Sequence, residues 1–161
     1  GYATPAAIAV KMAKPNNEVP AIVGDGAFMM TAMELATAVA QNLGLVIGVF
    51  NDGELSQIAQ AQQIPYNRKT CTVLPQTKLK GLAMATGAEY VRIENNDDIK
   101  EKLTKARKLA QENKAVILDI NIDYSKATAF TEGAVKTNLK RMPLPTKVRM
   151  VGRAMVRKMT G

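Results

Sequence analysis

Pro20-Ala21-Ile22-Val23 runs into Gly24-Asp25-Gly26, and Leu45-Val46-Ile47-Gly48-Val49-Phe50 runs into Asn51-Asp52-Gly53, with 24 residues between Gly26 and Asn51. Short apolar and β-branched runs that stop at Gly, Asp or Asn read as buried strands. Between them, Met29 to Gln41 carries a helical pattern. Strand, helix, strand is a βαβ unit, so the two strands lie parallel. Both acidic turns then fall at carboxyl ends of strands, the edge at which open α/β sheets take ligands. The expected fold is α/β, a doubly wound parallel sheet with helices on both faces, followed by a basic C-terminal arm.

The chemistry of that edge follows from residue types. Asp25 and Asp52 place carboxylates at two converging strand ends. Gly24 and Gly26 permit close backbone approach to a ligand. A helix opening after Gly26 would aim free N–H groups at the same crevice, which favours an anion. Carboxylates beside an anion site imply a divalent cation between them, and all-oxygen ligation suits magnesium or calcium. The pair therefore predicts a metal-bridged phosphate or diphosphate.

Gly24-Asp25-Gly26, the gap, and Asn51-Asp52 together resemble the thiamine diphosphate motif, which is GDG, a similar gap, then usually NN. The flanks agree. Gly1-Tyr2-Ala3-Thr4-Pro5-Ala6-Ala7-Ile8, Ala27-Phe28-Met29-Met30-Thr31 and Met33-Glu34-Leu35-Ala36-Thr37-Ala38 are similar to acetolactate synthases and their relatives, and the resemblance covers residues 1–125. It implies magnesium held by the Asp25 and Asp52 side chains and by the Glu54 backbone carbonyl, with Gly26 and Ala27 offering N–H groups to the diphosphate. Asp52 stands where the family usually has Asn, which keeps an oxygen ligand and adds a negative charge.

For activity, the resemblance implies the C-terminal cofactor-binding domain of an enzyme that decarboxylates a 2-oxo acid such as pyruvate. The resulting carbanion passes to an acceptor. No catalytic residue is expected in this chain. The family's activating glutamate lies in another domain, and Glu34 reads as a carboxylate stabilised near a helix amino terminus. The sequence begins at Gly1-Tyr2, inside a family motif, and reads as a piece of a longer polypeptide that is inactive alone. The family's sites form between subunits. The expected partners are therefore the N-terminal pyrimidine-binding domain of a neighbouring subunit and further copies in a homo-oligomer. The resemblance leaves room for FAD in the full-length protein, although nothing in this chain reads on it. Other thiamine diphosphate decarboxylases, oxidases, ligases or split-enzyme subunits share the motif. A non-catalytic anion-binding module with a docking tail is the alternative outside enzymes.

Composition narrows the classes. Histidine is absent, which removes imidazole catalysis and His-based metal sites. Cys71 is the single cysteine, so this chain alone forms no disulfide or Fe–S cluster, and a cytoplasmic setting is the default expectation. No apolar run approaches the ~20 residues that span a bilayer, so no membrane partner is expected. Net charge is +8, yet residues 1–125 hold 13 Lys/Arg against 13 Asp/Glu, while residues 126–161 hold nine Lys/Arg and only Glu132. A neutral body argues against nucleic-acid binding.

Taken in order, the pattern predicts a helix over 5–14 and one over 28–42 that ends at Asn42-Leu43-Gly44, with Met29, Met30 and Met33 filling the core. Another follows over 54–63, where Leu55, Ile58 and Ala59 share an apolar face. In the resembled family this segment borders the substrate pocket, so Leu55 and Ile58 are candidate pocket walls as well as candidate core contacts. Residues 65–75 read as a loop exposing Arg68 and Lys69. Helices over 78–86 and 97–113 alternate with strands over 89–93 and 114–120. Domains are expected at 1–125 and 126–161. Thr131-Glu132-Gly133 and Pro143-Leu144-Pro145 break the arm before a helix over 147–158, with Arg149, Arg153 and Arg157 on one face and Val148, Val151 and Met155 on another. A lid over the active site, a subunit contact and an anion-binding surface all fit that helix.

Overall fold

The apolar runs become strands and the periodic segments between them become helices. A computed structural model describes residues 1–66, 68–124 and 134–160. The chain divides into two units, residues 1–53 with 75–122, and residues 54–74 with 123–161.

The first unit holds four parallel strands, β1 (Pro20–Gly24), β2 (Leu45–Asn51), β3 (Glu89–Ile93) and β4 (Ala115–Asn121), in the order β1-β2-β4-β3. Strand alternation sends Val23, Leu45, Ile47, Val49, Ala115 and Ile117 into one core. They pack there with α1 (Ala3–Ala13), α2 (Asp25–Met29), α3 (Leu35–Ala40) and α5 (Leu79–Thr86). The other face sends Val91, Ile93, Val116 and Leu118 against α6 (Ile99–Gln111), whose Ala106 is buried. Helices therefore cover both faces, as expected for a doubly wound sheet. Phe28, Leu35, Ile47 and Ile117 are fully buried, and each such side chain contributes about 1.5–3 kcal/mol.

The continuous helix expected over 28–42 is not formed. α2 ends at Met29, a 3₁₀ turn follows at Ala32–Glu34, and α3 begins at Leu35. The break lies at Thr31, a β-branched residue held at φ −139°. Phe28, Ala32, Leu35 and Ala38 all stay buried across it, so the periodicity survives although the helix does not. Met29, Met30 and Met33 point away from that stripe and are exposed, not core.

Asn42, at φ 51°, makes the left-handed exit from α3. Gly44 serves a different purpose at the mouth of β2. A Cβ there would sit 1.8 Å from the Ala110 carbonyl oxygen and 3.1 Å from the Asn113 Cα.

In the second unit, α4 (Ser56–Tyr66) packs against α8 (Leu144–Thr160), and α7 (Ala134–Arg141) precedes α8. α4 extends past the helix end expected at 63 and takes in the first residues of the expected loop. Ala59 is its buried contact, while Ile58 is about half exposed and Leu55 half-buried. Arg68 and Lys69 are exposed, as expected. α8 contains the helix expected over 147–158, with Val148, Val151 and Met155 exposed. The expected break at Thr131-Glu132-Gly133 lies outside the described residues. Among the described residues, no helix is long and apolar enough to cross a membrane.

Gly44→Ala should cost at least the 1–3 kcal/mol typical of overpacking, because backbone on α6 must move to admit the methyl group. Urea unfolding measures it, and an unchanged midpoint would contradict the close approach.

Candidate functional site

Parallel pairing of β1 with β2 sets Gly24 opposite Phe50, so the two acidic turns leave adjacent strand ends at the same level. Asp25 is the first residue of α2 and is buried. Both of its carboxylate oxygens accept backbone N–H groups. Gly26 N donates to Oδ1 at 2.7 Å, and Gly53 N, from the other turn, donates to Oδ2 at 2.8 Å. Gly53 holds φ +72°, a left-handed conformation that strains any residue with a Cβ. The two turns are thus one structure, closed through the Asp25 side chain.

Its electrostatics are unfavourable for a lone carboxylate. Burial pushes the Asp25 carboxyl above the ordinary range, and the neighbouring Asp52 carboxylate pushes it the same way. N–H groups of Gly53, Gly26 and Asp52 pull in the opposite direction without cancelling the rise. A divalent cation would remove both penalties. Among the described residues, no group of three or more His, Cys, Asp and Glu side chains is arranged to hold a metal ion. Two carboxylates form a sparse oxygen set of the kind that suits magnesium, which keeps waters and substrate phosphates as its other ligands.

The helix expected to open after Gly26 instead begins at Asp25 and spans only five residues. The Gly26 N–H is turned onto Asp25, and Ala27 is half-buried in the same helix. A helix of five residues has little dipole to offer an anion at its start. Glu34 is exposed and accepts a hydrogen bond from the Thr37 hydroxyl at 3.4 Å.

Glu54, Leu55 and Ile58 belong to the second unit. The Glu54 carboxylate accepts from Lys69 Nζ at 2.7 Å and from the Thr72 hydroxyl at 2.8 Å. Those two donors hold its carboxyl below the usual range. The Leu55 N–H donates to the Thr72 carbonyl at 2.7 Å, closing the loop that carries α4.

One cluster escaped sequence reasoning. Asp119, in the middle of the apolar β4 run, is 2% exposed. Its Oδ1 accepts from Asn51 Nδ2 at 3.0 Å, and its Oδ2 accepts from the Tyr90 hydroxyl and from Arg92 Nη1, each at 2.7 Å. Burial, reinforced by the bond to Asp119, pushes the Tyr90 phenol up to about 12. A charged residue inside Ala115–Asn121, otherwise apolar up to its final Asn, was the available signal.

Residues 1–120 match the family described as thiamine pyrophosphate enzyme, C-terminal TPP binding domain. A probable acetolactate synthase large subunit of Methanococcus aeolicus is 34% identical over 142 residues, 86% of this chain and 23% of that protein. Its counterpart in Methanocaldococcus jannaschii is 36% identical over 129 residues, 79% of this chain and 21% of that protein. An acetolactate synthase of Bacillus subtilis is 34% identical over 125 residues, 78% of this chain and 21% of that protein. The chain spans about a fifth of the length of these curated relatives.

A carboxyl whose folded pKa exceeds its unfolded value costs stability when ionised. That cost is absent below the unfolded value, near 3.9, and complete above the folded one, so this contribution falls as pH rises. Carbon-13 NMR of the Asp25 carboxyl should therefore give a midpoint above 3.9 in the cofactor-free chain. A midpoint at or below that value would contradict the burial argument.

Proposed function

We propose that this chain, which belongs to the thiamine pyrophosphate enzyme family through its C-terminal TPP-binding domain, anchors the diphosphate end of thiamine diphosphate through a magnesium ion held by Asp25 and Asp52. The carrying observation is the buried Asp25 carboxylate, set beside Asp52 at adjacent strand ends and raised in pKa by burial and like charge. A carboxylate kept ionised there is a cost in the free chain that a bound cation offsets. Neither aspartate acts as an acid or base on this reading; both hold and orient.

The whole protein is proposed to be an acetolactate synthase-like enzyme acting on a 2-oxo acid such as pyruvate. Similarity to the three acetolactate synthase chains supports this. Thiamine diphosphate, when bound, supplies the electron sink for decarboxylation and carbanion transfer. This chain's part is to fix the cofactor's charged end, so that its reactive end meets groups contributed from elsewhere. Those would come from a pyrimidine-binding domain on a neighbouring subunit, which makes a homo-oligomer the working assembly. Leu55 and Ile58 are proposed as pocket walls, a role for which the partial exposure of Ile58 leaves room. Asp52 departs from the family's usual Asn only by an extra charge, so amide and carboxylate should both serve.

Isothermal titration of thiamine diphosphate, with and without magnesium, tests this in the longest polypeptide that carries the sequence. Binding should require magnesium. Asp25→Asn should weaken it beyond the roughly 10–100-fold that loss of an outer partner costs. Asp52→Asn should keep magnesium-dependent binding, whereas Asp52→Ala should lose it. Silence in the unsubstituted protein, or full binding by Asp25→Asn, would overturn the reading and favour a docking module.

A further inference from the structure

The carboxyl ends of all four strands are joined on one face by polar side chains. Asp25, after β1, receives the Gly53 N–H from the turn after β2 at 2.8 Å. Asn51, the last residue of β2, donates its amide to Asp119 of β4 at 3.0 Å. Asp119 in turn accepts from Tyr90 and Arg92 of β3 at 2.7 Å. Arg92 also grips Glu94, and Asn121 Nδ2 donates to the Glu94 carbonyl at 3.2 Å. The rest of the sheet interior is apolar. A charged pair is a poor way to stabilise a sheet, because apolar residues of similar volume often do as well. Its position at the carboxyl edge, bonded to the residue that precedes Asp52, needs another explanation.

The geometry points to Asp119 as a positioning residue for the diphosphate and metal end of the site, an inference that rests on the function proposed above. An ionised carboxylate only accepts hydrogen bonds, so Asp119 forces the Asn51 amide to present its nitrogen. That fixes the sense of the amide, with its oxygen turned away from Asp119. Tyr90 and Arg92 hold the other carboxylate oxygen, so Asp119 cannot rotate to release Asn51. Asn51 is thereby pinned two residues before Gly53, whose N–H must reach Asp25. The Asn51-Asp52-Gly53 turn is then set before any ligand arrives. Outer partners that orient first ligands act in this way, and their loss typically costs 10–100-fold in metal affinity.

Asp119→Asn tests it at nearly constant size. The new amide presents NH₂ to one side and so cannot accept from both Asn51 and the Tyr90–Arg92 pair. Two readouts apply, magnesium-dependent thiamine diphosphate affinity and, without any cofactor, hydrogen exchange of the Gly53 amide. Affinity should fall at least about tenfold, and Gly53 protection should fall in a chain that remains folded. Asn51→Ala should reproduce both losses, and the double variant should be no worse than either single one, since both break one link. Additive losses, or wild-type affinity and Gly53 protection in Asp119→Asn, would overturn the positioning role. If Asp119→Asn does not fold, Asn51→Ala carries both readouts with the same two outcomes. If the unsubstituted protein binds no cofactor, the function proposed above fails, and Gly53 exchange alone decides the positioning.

Discussion

The Asp25 carboxylate closes two turns separated by 24 residues, accepting Gly26 N–H on one oxygen and Gly53 N–H on the other. That closure joins the chain at the ends of β1 and β2. It requires β1 and β2 to be parallel neighbours in the observed register, and it requires Gly53 at a positive φ so that its N–H turns inward. It also places a buried negative charge beside Asp52, an arrangement whose electrostatics oppose ionisation. Ordinary turns place Asp at the surface, where hydration is cheap. One kept buried and in company with a second carboxylate is the observation on which the proposed cation rests.

The sheet beneath supplies the rigidity. Two apolar cores clamp its faces, with α1, α2, α3 and α5 on one side and α6 on the other. The close approach of Gly44 to Ala110 fixes where β2 starts relative to α6, and hence where its carboxyl end lies. At that end, side-chain bonds take over from apolar packing, and Asp119 carries the constraint from β3 and β4 into the Asn51-Asp52-Gly53 turn.

The strands were legible in the sequence because β-branched runs bounded by Gly, Asp and Asn have few other ways to bury themselves. The Asp25–Asp52 pair was legible because strand context gave both turns the same edge. The break at Thr31 was hidden because Phe28, Ala32, Leu35 and Ala38 keep helical spacing through it. The exposed Met29, Met30 and Met33 were misread for a related reason, since apolar residue type does not say which side of a short helix is covered. Asn51 and Asp119 are 68 residues apart, and only the strand order brings them together. The purpose of Gly44 was likewise invisible, because a helix stop explains a glycine there as well as a close approach does.

Manganese(II) can replace magnesium as a paramagnetic probe of where the cation sits. Added with thiamine diphosphate, it should broaden the amide resonances of Gly26, Asp52 and Gly53 before any others, and Asp25→Asn should abolish that pattern. Broadening confined to surface carboxylates such as Asp97 and Asp98, or unchanged by Asp25→Asn, would contradict the account.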